Sequence, residues 1–479
     1  MKIAIAASEA APFSKTGGLG DVMQALPEAL SQLPGNTVCL FLPYYGNMKN
    51  IPKFECEYIT SFHVNLVWRK CHVGLFRLKT RRKKLQIYFI DNEQYFKRDN
   101  AYGYMDDGER FAFFSKAVLA CMNYLDYKPD VLQCNDWQTA LIPVLLRSEF
   151  ASCFPDTRTV FTIHNIEYQG WADINFNNDV LGLPGEWLST LRYGDAINFM
   201  KAAIVTADAV STVSETYAGE LQYPYFSHGM SEVLTLRSGS FYGITNGIDT
   251  TVFDPAHSPN LPYHYTAATL VEQKAKNKAA LQLELGLNQE PDAPLYAIVS
   301  RLAGHKGVDL LCYICDTFMS RKAQLAIIGT GEAQYEHRLT ALAAKYPGKM
   351  TVKLAFDPAL ADRVYAGADA YLMPSKSEPC GLSQLIAMHY GTIPVVHATG
   401  GLNDTVKPYN PETGEGRGFT FQSYNGEDFM DAVDRSLKLY ETDREAWNRL
   451  AAGDMALDVS WDAPARAYME MFQKVTGAR

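Results

Sequence analysis

The first twenty-one residues, MKIAIAASEAAPFSKTGGLGD, constrain this chain most. Lys2 to Ser8 is a short, nearly unbroken apolar run of the kind a buried parallel strand shows. It turns through Ala11-Pro12-Phe13 into Lys15-Thr16-Gly17-Gly18-Leu19-Gly20. From Asp21 onward, Val22, Ala25, Leu26 and Leu30 recur on one helical face. A strand, a glycine-rich turn and a helix together aim backbone N–H groups and a positive helix end at an anion. Gly17 and Gly18 remove Cβ atoms from that approach, and Lys15 adds a full charge at the mouth of the loop. The glycines do not fall as G-x-G-x-x-G, and Lys15 precedes them. The loop is therefore neither a dinucleotide fingerprint nor a Walker loop. It is either a different phosphate loop or only the glycine that a first strand–helix turn favours, and the rest of the chain has to decide.

Strands and helices alternate beyond it. Strands are expected at Thr37–Leu42, Asp130–Cys134, Arg158–Ile163, Ala209–Val213 and Gly243–Thr245. Helices are expected at Glu109–Tyr124, from Trp137 to Phe150, and at Ile197–Thr206. Phe54 to Ile90 alternates in short runs and reads as a β-rich insertion or edge. A proline-bearing segment, Asp254 to His264, marks a linker. After a helix at Leu270–Leu285, a second alternation begins. Its strands are Leu295–Ser300, Gln324–Ile328, Met350–Ala355, Ala370–Met373 and Ile393–Val396. Its helices are Val308–Met319, Gln334–Lys345, Leu382–His389, Gly426–Tyr440 and Trp461–Val475. The pattern predicts two α/β, doubly wound parallel-sheet domains with a cleft between them, and ligands at the carboxyl ends of the strands.

Length agrees with this, since 479 residues are too many for one core. A net charge of −9 argues against a nucleic-acid surface. The one basic run, Lys79 to Lys84, precedes an apolar strand and reads as a hairpin turn. No apolar run approaches the ~20 residues of a membrane helix, so no membrane partner is expected. The chain starts directly on a strand, so no signal peptide is expected. Nine scattered cysteines without C-x-x-C pairing suggest reduced thiols in a cytoplasm, with no zinc and no disulfide frame.

Polar residues gather where strands end: Lys15, Asp136, His164, Asn246 and Arg301. His164 alone would be an ordinary core histidine, but several polar groups on strand ends favour a site. Ser300-Arg301-Leu302-Ala303-Gly304-His305-Lys306-Gly307 mirrors the first loop, with cations beside glycines. Arg301 can grip phosphate with two donors and Lys306 can act as a point charge, which suits a departing pyrophosphate. Pro374 to Leu382 contains Glu378, which could accept sugar hydroxyls, and Gly381, where N–H groups could face an anion. Thr399-Gly400-Gly401 repeats the theme. One carboxylate among cations and glycine loops fits a sugar diphosphate better than a bare anion.

At these residues the sequence resembles the bacterial glycogen synthase and plant starch synthase family of retaining glucosyltransferases. Lys15-Thr16-Gly17-Gly18-Leu19 is similar to its K-T-G-G-L signature, and Asn135-Asp136-Trp137 to its N-D-W. Thr162-Ile163-His164-Asn165 is similar to T-x-H-N, and Thr245-Asn246-Gly247-Ile248-Asp249 to the family's domain-junction segment. Ser300 to Gly307 resembles S-R-L-x-x-Q-K-G, Glu378 to Leu382 E-P-C-G-L, and Thr399 to Val406 T-G-G-L-x-D-T-V. The matches run in order over nearly the whole chain. The resemblance implies the GT-B fold, with two Rossmann-like domains facing a central cleft. Residues 1–250 would form the acceptor-side domain and 251–459 the nucleotide-sugar domain, with a helix at 460–479 crossing back. It implies transfer of glucose from ADP-glucose to the non-reducing end of an α-1,4-glucan such as glycogen, with retention and without metal or cofactor.

By the same resemblance, Lys15, His164, Arg301, Lys306 and Glu378 are the catalytic candidates. Gly17, Gly18, Asp21, Asp136, Asn165, Asn246, Phe356, Cys380, Gly381, Leu382, Thr399, Gly400 and Gly401 would line the donor site. Glu9, Tyr95, Trp137 and Tyr168 would meet the acceptor; packing is the ordinary alternative for these aromatics. Three positions depart from the pattern. His305 stands where the family usually has glutamine, Phe356 where a tyrosine often stacks on adenine, and Ile386 where many GT-B enzymes carry a ribose-binding glutamate. Retention usually suggests a carboxylate nucleophile, and none is identifiable, so front-face transfer is the expected mechanism. The rivals are UDP-glucose as donor, a hydrolase or phosphorylase on the same glucan, or a non-catalytic glucan-binding protein. Paired cationic glycine loops disfavour hydrolysis, no pyridoxal-lysine motif supports a phosphorylase, and the intact cations and Glu378 disfavour a dead fold.

Overall fold

The computed structural model describes residues 1–48 and 54–477. Positions 478 and 479, the end of the expected C-terminal helix, lie outside that range. The chain divides into two compact units, Met1–Asn246 with Trp461–Arg479, and Gly247–Ser460.

The first unit is built on a nine-stranded sheet. Its strands in chain order are β1 (Lys2–Ala6), β2 (Thr37–Pro43), β3 (Cys56–Leu66), β4 (Arg69–Leu78), β5 (Leu85–Asp91), β6 (Val131–Asn135) and β7 (Arg158–Ile163). Three very short strands, β8 (Trp171–Asp173), β9 (Arg192–Tyr193) and β10 (Ala196–Asn198), form a separate small sheet. The large sheet is completed by β11 (Ala209–Thr212) and β12 (Phe241–Gly243) in the order β12-β11-β7-β6-β1-β2-β5-β4-β3. All pairs from β12 to β5 are parallel, and only β5-β4 and β4-β3 are antiparallel. The β-rich stretch is thus the edge of the main sheet. Its basic run is the β4–β5 turn, where Arg82 pairs with Glu28. β1 is fully buried from Ile3 to Ala6, which is why it reads as an unbroken apolar run. The helix Asp462–Thr476 contributes Ala465, Tyr468, Met471 and Phe472 to this unit's core.

Several expected bounds shift by a few residues, and for two the local structure gives the reason. The last strand lies at Phe241–Gly243 and not Gly243–Thr245, because Gly243 pairs with Thr212. A Cβ on Gly243 would sit 2.4 Å from Ser214 O, so only glycine fits there. The helix expected from Ile197 starts at Phe199, because the Asn198 side chain caps it by accepting the Lys201 N–H.

The second unit has six strands: β13 (Leu295–Val299), β14 (Gln324–Ile328), β15 (Met350–Lys353), β16 (Ala370–Met373), β17 (Ile393–His397) and β18 (Phe419–Phe421). All are parallel, in the order β15-β14-β13-β16-β17-β18. In its own numbering this is 3-2-1-4-5-6, the doubly wound dinucleotide-fold order. Two further helices, Pro358–Gly367 and Arg444–Met455, start on Asp357 and Asp443, each accepting a backbone N–H with its carboxylate. No helix among the described residues is long and apolar enough to cross a membrane.

Candidate active site

Strand order locates a site in each unit. A doubly wound sheet opens a crevice where the chain reverses its direction of build, at the carboxyl ends of the two strands concerned. In the first unit these are β1 and β6, followed by the Ala7–Gly17 loop and by Asp136. In the second they are β13 and β16, followed by Ser300–Gly307 and Pro374–Leu382. Lys15 and Asp136 lie on the first rim and Arg301, Lys306 and Glu378 on the second, while His164, Asn246 and Thr399 follow β7, β12 and β17.

On the first rim, Glu9 is 4 % exposed and organises the glycine loop itself. Its Oε2 accepts the N–H groups of Thr16 and, at 3.3 Å, Gly17. Donors expected to face a ligand are thus held by an internal carboxylate. Burial pushes the Glu9 pKa up to about 7 against the pull of those two N–H groups, with Asp21 adding repulsion. Lys15 Nζ lies 2.7 Å from Asp21 Oδ1, a partly exposed pair of small net worth. Gly17 takes an extended conformation and leads into the helix Gly18–Gln32. Gly20 is the tighter glycine of the loop, since its Cβ would lie 3.0 Å from the Lys15 side chain, which would have to give way slightly.

Asp136 ends β6 with a positive φ of 58°, an uncommon conformation for a non-glycine residue. Its Oδ1 accepts the N–H groups of His164 (2.7 Å) and Asn165 (3.3 Å), so it ties the β6 and β7 ends together. Burial lifts its pKa to about 7, and the charge of Glu9 pushes the same way. Burial also pulls His164 down to about 3, so the imidazole is neutral. Its tautomer follows from its neighbour. Asn135 Nδ2 donates to Ala6 O at 3.0 Å, which turns Asn135 Oδ1 toward His164 Nε2 at 2.9 Å. Nε2 must therefore carry the proton, and Nδ1 is left as an acceptor. Asn165 Oδ1 accepts the Glu167 N–H. Asn246 is 6 % exposed, and its Oδ1 has no hydrogen-bond partner among the described residues.

The acceptor candidates separate. Tyr95 is 1 % exposed, packs on Phe113 and donates to Glu109, so it offers no ring face to a sugar. Trp137 is wedged between Phe111 and Phe199, over Gly170, whose Cβ would lie 2.6 Å from the indole. Tyr95 is thus covered by the helix Asp107–Tyr124, whereas Trp137 is held by packing and half-buried. Glu9 is committed to the loop. Tyr168 alone of the four is exposed.

On the second rim, Lys306 Nζ contacts both oxygens of Glu378, at 3.0 and 2.7 Å. Glu378 Oε2 also accepts Ser375 Oγ at 2.9 Å. Arg301 is exposed and has no ion pair or side-chain hydrogen bond among the described residues. The two loops are pressed together: a Cβ on Gly307 would lie 2.0 Å from Pro374 O, and Lys376 N donates to His305 O at 2.9 Å. Gly400 and Gly401 serve packing as well, because their Cβ atoms would lie 2.0 Å from Glu378 O and 2.1 Å from Cys380 O. Gly401 N donates to Glu378 O at 3.1 Å. Gly381 is left-handed, Cys380 and Thr399 are buried, and Leu382 leads into the helix Ser383–His389. Phe356, just beyond β15, is 81 % exposed.

The sequence reading missed the loop after β14. Gly329 and Gly331 would place Cβ atoms 1.8 Å from Ser300 O and 2.2 Å from Leu302 O. Glu332 Oε1 accepts the Gly304 N–H at 3.0 Å, a bond that holds the carboxyl below its ordinary range. A G-T-G-E run after a strand was the available signal.

Comparison with known proteins decides the family. Residues 2–236 match the starch synthase catalytic domain, and residues 286–452 match the glycosyl transferases group 1 domain. Over 99 % of both chains the sequence is 44 % identical to a glycogen synthase of Exiguobacterium sibiricum, and at the same coverage 41 % identical to one of Desulfitobacterium hafniense. The chain belongs to the glycogen synthase and starch synthase family. Its fold class is therefore GT-B, and it is a hexosyltransferase. Among solved structures, the catalytic domain of starch synthase IV from Arabidopsis thaliana, bound to ADP and acarbose, superposes with a TM-score of 0.91. That likeness covers 99 % of both chains at 33 % identity. Sucrose-phosphate synthase from Thermosynechococcus elongatus matches at a TM-score of 0.61 and 19 % identity, a likeness of fold alone.

Proposed function

We propose that this enzyme transfers glucose from ADP-glucose to the 4-hydroxyl at the non-reducing end of an α-1,4-glucan, with retention. The observation that carries this is the second rim. Exposed, uncommitted Arg301 stands in the same loop as Lys306, whose ammonium is held by buried Glu378. That set suits a sugar diphosphate. The diphosphate takes Arg301 and draws Lys306 away from Glu378, and the freed carboxylate accepts sugar hydroxyls. Lys15 adds a further cation. Asp136, His164, Asn165 and Asn246 serve the sugar, with His164 Nδ1 and Asn246 Oδ1 free to accept hydroxyl protons. Phe356 stacks on the adenine, with Tyr168 toward the glucan. The ADP held by the Arabidopsis relative supports an adenine donor. Nine free cysteines fit a reducing compartment such as the cytoplasm.

The chemistry is front-face transfer. The bond between C1 and the diphosphate oxygen breaks, with Arg301 and Lys306 taking up the developing charge. The acceptor hydroxyl oxygen bonds to C1 on the same face and gives its proton to the departing phosphate. Neutral His164 positions the sugar and transfers no proton in this step. The test is release of ADP from ADP-glucose, with UDP-glucose in parallel, each with and without glycogen. Glycogen-dependent ADP release and chain extension are expected. Preference for UDP-glucose would change the donor. Binding of glycogen without turnover of either donor would leave a glucan-binding protein.

A further inference from the structure

His397, the last residue of β17, is used by none of the chemistry above, yet it joins the segments that carry that chemistry. It is 7 % exposed. Its Nδ1 donates to Ser375 O at 2.8 Å, and its Nε2 faces Gln422 O at 3.3 Å. Both partners are carbonyls, which only accept, so any proton shared in either contact comes from the ring. One flat face stacks on Phe421 at 5.1 Å and 30°, and Tyr424 packs at 5.6 Å.

Each contact leads to the candidate site. Ser375 donates through Oγ to Glu378, which chelates Lys306. Tyr424 donates to Asp309 Oδ1 at 2.6 Å, in the first turn of the helix that follows Lys306, and reaches Gly304 O at 3.5 Å. Two residues after His397, Thr399-Gly400-Gly401 lies against the Glu378–Cys380 backbone. One ring therefore links the segments bearing Glu378, Lys306 and the paired glycines. A histidine kept only to fill the core would not need one nitrogen on the Ser375 backbone and the other on Gln422, beside Tyr424.

We propose that His397 is a positioning residue for transfer, a strut whose two ring nitrogens bridge Ser375 O and Gln422 O and so set Glu378 and Lys306 relative to each other. The role in catalysis rests on the function proposed above; the mechanical role does not. His397→Phe keeps the stack on Phe421 and removes both ring nitrogens. His397→Arg keeps donors toward both carbonyls. His397→Gln keeps one and serves if the Phe variant does not fold. In His397→Phe, kcat should fall about 10- to 100-fold, the effect of a small misplacement of reacting groups, with donor KM within about threefold of the parent. Amide exchange across residues 374–382 should quicken about tenfold, as expected for roughly one lost hydrogen bond. His397→Arg should restore both readouts and His397→Gln should fall between. Unchanged exchange in this segment of the Phe or Gln variant overturns the strut. An Arg variant as slow as the Phe variant overturns it too. If the parent enzyme turns over neither ADP-glucose nor UDP-glucose, the functional reading fails, and the exchange comparison still decides the strut.

Discussion

Glu9→Gln isolates the charge that the first rim keeps out of water. The Glu9 pKa rises from 4.5 to about 7 on folding, chiefly through burial. At about 1.4 kcal/mol per pH unit, a shift of that size is ~3 kcal/mol. The sign follows from proton binding. Below pH ~4.5 the carboxyl is protonated in both states and no penalty exists. Between ~4.5 and about 7 the unfolded chain loses its proton while the folded protein keeps it, so stability falls as pH rises. Above about 7 the full penalty stands. Glutamine carries no charge, and its single oxygen can still accept the N–H groups of Thr16 and Gly17. Relative to the variant, the parent should therefore lose about 2–3 kcal/mol between pH 5 and pH 8. That corresponds to roughly 5–10 °C in the melting of a unit this size. Calorimetry of the first unit's transition, run for both proteins across that range, reads the difference directly. Effects of Asp136 and of the second unit largely cancel in the comparison. Parallel melting curves at every pH would refute the argument, since they would mean that Glu9 reaches water or finds a counter-charge on folding.

Lys306→Ala should lower kcat about 100- to 1,000-fold while raising donor KM less than tenfold, because the ammonium is needed most as the diphosphate departs; steady-state kinetics with unchanged kcat and lost affinity would contradict this. Phe356→Ala should raise donor KM about tenfold, the scale of one base–aromatic stack, and leave the melting temperature unmoved, since the ring is 81 % exposed. Gly307→Ala should destabilise the second unit by about 2–4 kcal/mol, because a left-handed backbone and a Cβ 2.0 Å from Pro374 O cannot both be relieved without moving a loop. Denaturant melts of that unit measure it.

Much of this was legible from one end of the chain. β1, β13 and β14 are buried on both sides, so they read as continuous apolar runs, and their polar successors mark the rims. The strands of the small sheet, β8 to β10, are two or three residues long and too short to show a period. The exposure of Tyr95 or Tyr168 is likewise set by what packs over each ring and not by its neighbours in sequence. The glycines teach a sharper lesson. Local reading gave Gly400 and Gly401 to an approaching phosphate, but both are required by the backbone of Glu378 to Cys380. Gly307 is required by Pro374, 67 positions along the chain. Charge behaves in the same way. Composition reveals Lys306 and Glu378 as a cation and an acid, but their pairing joins loops 72 residues apart and emerges only when β13 and β16 lie side by side. A glycine loop with a lysine therefore identifies where an anion can be held. Which internal carboxylate competes for it is local for Lys15, whose partner Asp21 is six residues on, but for Lys306 it is decided by the strand order that brings in Glu378. On the proposed reading, an anion at the second rim gains at Lys306 only what remains after its pair with Glu378 is given up, whereas Arg301 gives up no such partner.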